Sequence, residues 1–136
     1  MLKSVRSFLN RVYQRQKSYR EGRRVTVYEI THDAVGMRVT WLSPENERGE
    51  GSIKWLTVVS IFAFKRDLYS VDLICLCLNL NDNTAVEIAE DMNGWEALVT
   101  KLPEYLPGCK RFEEWFEVVA IPAFKPNITE IYQRAY

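Results

Sequence analysis

The sequence predicts an α+β domain: an N-terminal amphipathic helix, about six antiparallel strands in a bent meander, then a C-terminal helix and an aromatic-rich tail. Three observations predict it. Before Gly22, apolar residues recur at three- and four-residue spacing. From Val25 onward they alternate with polar ones. From Asn93 the helical spacing returns. A change of period marks a change of secondary structure, because side chains repeat every 3.6 residues on a helix and every two on a strand. The chain has 136 residues, of which 47% are hydrophobic, enough for one packed core and too many for disorder along its whole length. It divides into a basic helical arm, residues 1–24, and a single α+β domain, residues 25–136.

The elements follow in order. Leu2, Val5, Leu9, Val12 and Tyr13 make one stripe of the first helix, and Gly22 stops it. "RVTVYEITH" places Val25, Val27 and Glu29 on one side of a strand and Thr26, Tyr28 and Ile30 on the other. A turn at Asp33–Gly36 leads to "MRVTWL", which completes a hairpin. "SPENERGEG" (Ser43–Gly51) reads as a polar loop before the short strand "SIKW". In "LTVVSIFAFKRD", Ile61, Ala63 and Lys65 face one way, and Phe62, Phe64 and Arg66 the other. "SVDLICLCLNL" is apolar on both faces, as a central strand covered on two sides would be. "NDN" (Asn81–Asn83) turns into "TAVEIAE". Asn93 is placed to cap the second helix, with Glu96 three residues on as in a capping box; Trp95, Leu98, Val99 and Leu102 form its inner face. Pro103 ends or kinks that helix. "CKRFEEWFEVVAIPAF" begins as a helical turn with Phe112, Trp115 and Phe116 on one side, and "KPNITEIYQRAY" is a short mixed tail. The element order from about Val25 to Leu106 resembles the pleckstrin-homology-like fold, a bent antiparallel half-barrel closed by a C-terminal helix.

Formal charge sums to zero but is unevenly placed. Residues 1–24 carry eight Lys or Arg against Glu21 alone, a net +7, which leaves −7 for the remainder. A basic arm on an acidic body points to an anionic membrane, nucleic acid or an acidic partner, or to the arm docking on its own body. No nucleic-acid motif accompanies it. Three Cys and one His fit a reducing compartment, so a cytoplasmic location is expected. No apolar run reaches the ~18 residues of a membrane span, and charges interrupt any signal-peptide core near Met1.

Few residues suggest chemistry. Cys75 and Cys77 share one face of a strand, but only Cys109 and His32 are left to complete a tetrahedral metal site, and neither is paired in sequence. Both thiols are therefore expected to be buried, reduced and metal-free, behaving as small hydrophobes. His32 beside Asp33 has the residue types of a general base and its orienter, yet neighbours on a strand point to opposite faces, and no nucleophile motif accompanies them. No catalytic, cofactor-binding or metal-binding residue is expected. The acids Glu87, Glu90, Asp91, Glu96, Glu113, Glu114 and Glu117 gather in the second half, and Lys65 and Arg66 close a strand beside Phe62 and Phe64. Trp95, Tyr105, Phe112, Trp115, Phe116, Phe124 and Tyr132 are core or contact aromatics.

The blocks "WLTVVSIFAFKRDLYSVDLICLCLNL", "GWEALVTKLPEYLPG" and "FEEWFEVVAIPAFKPNITEIY" resemble a group of small uncharacterised bacterial proteins, some of which look like immunity proteins of polymorphic toxins. The resemblance implies a non-catalytic protein-binding domain that neutralises a cognate protein toxin, and it carries over no contact motif. The acids Glu87, Glu90, Asp91, Glu113, Glu114 and Glu117, with Lys65 and Arg66, are the expected partner-binding residues, as a charged surface complementary to a partner. The alternative is a peripheral anionic-membrane or phosphoinositide-type module that makes contact through residues 1–24.

Overall fold

Alternating apolar and polar residues become paired strands over most of the span from Val27 to Ala89. A computed structural model describes residues 26–67, 72–121 and 127–135. Among them, β1 (Val27–His32), β2 (Gly36–Leu42) and β3 (Arg48–Lys54) form one antiparallel sheet in that order. A second antiparallel sheet has the order β6-β5-β4-β7, from β4 (Val58–Asp67), β5 (Asp72–Leu80), β6 (Ala85–Ala89) and β7 (Thr129–Gln133). Two helices, α1 (Trp95–Tyr105) and α2 (Phe112–Ala120), complete the α+β arrangement. The N-terminal helix read from the sequence lies outside the described residues.

Seven strands in two sheets replace the single meander of about six. The break falls at a short 3-10 turn, Trp55–Thr57, between β3 and β4. Trp55 is buried there; its backbone N–H donates to the Val35 carbonyl at 3.0 Å and its Nε1–H to the Asp33 carbonyl at 2.7 Å. These bonds tie the turn to the β1–β2 hairpin, so the chain leaves the first sheet before β4 begins. The seventh strand comes from the tail. "TEIYQ" sits in a short mixed tail, and it becomes a strand by pairing with β4, where Ser60 faces Gln133 and Phe62 faces Glu130. The polar loop shrinks as well. Ser43 closes it by accepting from the Glu47 N–H at 3.0 Å, and Arg48–Gly51 belong to β3. Gly49 has no side chain because the Trp41 indole lies across it: a Cβ there would sit 2.3 Å from the ring.

The core is continuous across both sheets. Tyr28 and Ile30 of β1, Met37 and Val39 of β2, Ile61 and Ala63 of β4, Leu76 and Leu78 of β5 and Ile88 of β6 join Trp95, Leu98, Val99 and Leu102 of α1, Trp115 and Val119 of α2 and Ile131 of β7. Each buried aliphatic side chain contributes about 1.5–3 kcal/mol. No described helix is long and apolar enough to cross a membrane.

The start of α1 departs from the capping box. Asn93 spends its backbone on β1 instead: the Ile30 N–H donates to the Asn93 carbonyl at 2.7 Å, and the Asn93 N–H to the Tyr28 carbonyl at 3.1 Å. Gly94 then takes the N-cap position at φ 93° with no side-chain cap. Pro103 sits in the last turn of α1, where few later residues depend on it, and the helix continues to Tyr105.

Gly94→Ala is expected to destabilise the fold by about 2–3 kcal/mol. The left-handed backbone disfavours a Cβ, and that atom would lie 2.3 Å from the Ile30 carbonyl oxygen, in the bridge between α1 and β1. Gly51→Ala, where a Cβ meets open space, is expected to shift stability by less than ~0.5 kcal/mol. Urea unfolding midpoints of the two variants check this.

Candidate functional site

The β4–β5 register decides where the two strand-end cations go. Lys65 pairs opposite Ile74 and Arg66 opposite Leu73, so the two side chains leave on opposite faces, as the alternation predicts. Lys65 turns inward and is only 4% exposed. Its Nζ donates to the Ala120 carbonyl at 2.8 Å and lies 3.3 Å from Asp72 Oδ2. A cation on the last carbonyls of a helix satisfies an orphan acceptor and complements the helix dipole, so Lys65 secures the C-terminal end of α2. Arg66 pairs with Glu87 across the sheet and lies over the Phe64 ring, 5.6 Å from its centroid. The Glu87 side chain is nearly buried there, while Arg66 stays partly in solvent.

The cysteines divide. Cys75 lies opposite Phe64 and Ala89 and is buried; Cys77, opposite Phe62 and Glu87, is half-buried, short of the full burial expected of it. Burial pushes the Cys75 thiol far above its ordinary range and the Cys109 thiol up to about 12. Neither is a ready thiolate at neutral pH. Among the described residues no group of three or more His, Cys, Asp or Glu is placed to hold a metal ion.

His32 and Asp33 have separate roles. His32 Nδ1 and the Tyr105 hydroxyl share a hydrogen bond of 2.7 Å, and Tyr105 stacks on Trp55 with ring centroids 5.3 Å apart. Asp33 accepts from the Val35 and Gly36 N–H groups at 2.9 and 3.1 Å, which hold its carboxyl below the usual range. His32, Asp33, Arg38, Lys54 and Asp82 border an open cleft of about 720 Å³. Its two carboxylates serve turns: Asp82 accepts from the Thr84 hydroxyl and backbone N–H.

The acids do not converge on one site. Glu87 is held by Arg66. Glu90 Oε1 accepts from the Ile74 N–H at 3.0 Å, and desolvation raises its carboxyl above the usual range. Asp91 is exposed beside it. Glu113, Glu114 and Glu117 stand in solvent on α2, with the exposed Arg111 Nε 3.2 Å from Glu114 and 4.0 Å from Glu113. The opposite side of α2 is fixed by buried Trp115 and Val119, and Phe112 packs edge-on against Trp115 at 5.2 Å. Trp95 and Tyr132 are core, Tyr105 and Phe116 are half-buried, and Phe124 lies outside the described residues.

Sequence reasoning missed three residues. Val118, Ile121 and Ile128 are 56%, 68% and 71% exposed. The signal for Val118 lay in the helical arc, where it falls with Glu114 on the side away from Val119; Ile121 caps the helix with extended backbone, and Ile128 precedes β7.

Lys65→Met is expected to cost about 2 kcal/mol, because the Ala120 carbonyl loses its donor and Asp72 loses a charge partner. Arg111→Ala, which breaks only exposed ion pairs, is expected to cost less than ~0.5 kcal/mol. Urea denaturation at two salt concentrations compares them. The thiols supply a second check. Burial and then Glu87 raise the Cys77 thiol as well, but it is the most accessible of the three, so a disulfide reagent at pH 8 is expected to modify it ahead of Cys75 and Cys109, which react only as the protein unfolds. A thiol whose folded pKa is raised binds its proton more tightly in the folded state, so its stabilising effect is complete below the ordinary thiol value near 9.0. That effect is lost as pH rises toward about 12. The urea midpoint should therefore fall above pH 9, and fall less in Cys109→Ala.

Comparison with known proteins finds no family model, no curated protein and no solved structure that matches this chain.

Proposed function

We propose that the chain is a non-catalytic protein-binding domain, most concretely an immunity protein that binds and neutralises a cognate bacterial toxin. One observation carries the reading: the ionic residues divide sharply by use. Lys65, Arg66, Glu87 and Glu90 are engaged with partners inside the fold, whereas Glu113, Glu114 and Glu117 stand outward on a helix whose other side is locked into the core. Exposed acids on a rigid support are suited to steering a basic partner and excluding acidic ones, at little desolvation cost. An acidic body of net −7 beyond residue 24 acts in the same sense.

Two finer points belong to the same proposal. A pleckstrin-homology-like architecture is supported by antiparallel sheets followed by α1, although α2 and β7 extend it. A cytoplasmic setting is supported by three free cysteines. The anionic-membrane alternative rests on residues 1–24, outside the described residues, and the strand-end cations Lys65 and Arg66 add nothing to it because they are committed within the fold.

The test is co-expression with the product of the adjacent gene. A stable 1:1 complex on size exclusion, and survival of cells that express that product only when this chain is present, are expected. Neither complex nor protection would overturn the reading.

A further inference from the structure

We infer that Val118 of α2 and Ile121, the residue that caps its C-terminal end, together with Ile128, form the apolar centre of a docking surface for a basic protein surface that carries an apolar projection. This rests on the protein-binding reading and names its contact face. Helical geometry orders the exposed arc of α2. Glu113 and Glu117 lie one turn apart on one side, and Glu114 and Val118 one turn apart on the other. Ile121 follows both rows at the C-terminal end. Within each row the apolar residue follows its acid by four residues, Val118 after Glu114 and Ile121 after Glu117, about 6 Å further along the axis by the rise per residue.

The apolar end is held in place. Asn127 Nδ2 donates to the Val119 carbonyl at 3.3 Å and to the Ile121 carbonyl at 3.0 Å, which seats Asn127, the residue before Ile128, at the end of α2. On the inward side the Lys65 amine holds the Ala120 carbonyl. Three large aliphatic side chains, each more than half exposed, therefore stand on a segment clamped from both sides. Their exposure exceeds what folding explains, because the buried face of α2 is already supplied by Trp115 and Val119. Charge selects the occupant. Three carboxylates beside the patch, answered among the described residues by exposed Arg111, oppose an acidic partner and favour one rich in Lys or Arg. Apolar contacts at the centre of a rim of charge are where binding energy concentrates.

The test uses the full-length chain, ¹⁵N-labelled, and two synthetic probes of equal charge: an amphipathic helical peptide of Leu and Lys, and oligolysine. Amide shifts confined to Phe112–Ile121 and Ile128 are expected. The Leu–Lys peptide should bind at least ~10-fold tighter than oligolysine, a difference of about 1.4 kcal/mol. Val118→Asp and Ile121→Asp, both at exposed positions, should abolish that preference while leaving the thermal midpoint unchanged. Glu113→Gln with Glu114→Gln and Glu117→Gln should weaken both probes and flatten their salt dependence. Equal affinity for the two probes, shifts elsewhere, or an unchanged preference in Val118→Asp would overturn the inference. So would a site already filled by residues 1–24, seen as absence of any peptide binding. The adjacent-gene product separates the two readings. If it binds Val118→Asp as well as wild type, this surface is wrong and the immunity reading stands. If it binds neither while the Leu–Lys peptide still localises to α2, the toxin partner is wrong and the surface stands.

Discussion

The pairing of β4 with β5 is the constraint from which the rest of the structure follows. It runs from Val58 against Leu80 to Asp67 against Asp72, and both strands are interior to their sheet. Because both of their faces need cover, the register fixes two surfaces at once. Ile61, Ala63, Leu76 and Leu78 go to the core, and Phe62, Phe64, Cys75 and Cys77 to the other face. A slip of one residue would exchange the two sets. It would also send Lys65 away from Ala120 and Arg66 away from Glu87, removing the donor that holds α2 and the charge that balances a nearly buried carboxylate.

Much of the fold was legible in local pattern. The hairpin of Val27–His32 with Gly36–Leu42, the facing of Ile61, Ala63 and Lys65, the interior place of Asp72–Leu80 and the inner stripe of α1 all follow from periodicity. What was illegible depended on distant partners. Thr129–Gln133 lies in a mixed tail far along the chain from β4, the strand whose pairing defines it. Asn93 has the right chemistry for a cap, but its backbone is drawn into a bridge with β1, more than sixty residues earlier in the chain.

The candidate site shows the same division. Glu113, Glu114 and Glu117 were readable as outward acids because one helix determines their direction. Lys65 was not readable as buried. A charge beside aromatic residues at a strand end looks like a solvent-facing cation, and only the arrival of Ala120 and Asp72 makes burial tolerable. Cys75 and Cys77, the most conspicuous pair in the sequence, differ in environment because Cys77 lies closer to solvent than Cys75 on the same face. Spacing reports the face of a strand and not the depth beneath its surface.

The clamped end of α2 separates two kinds of residue. Trp115, Val119, Lys65 and Asn127 hold the helix, and a change in any of them disturbs the fold. Among the described residues, the side chains of Glu113, Glu114, Glu117, Val118 and Ile121 point away from the core and are exposed. Substitutions among the second set are thermodynamically almost free. The outward face can therefore be rewritten residue by residue while the scaffold stays constant, and a lineage carrying this domain can change what it recognises without passing through an unfolded intermediate sequence.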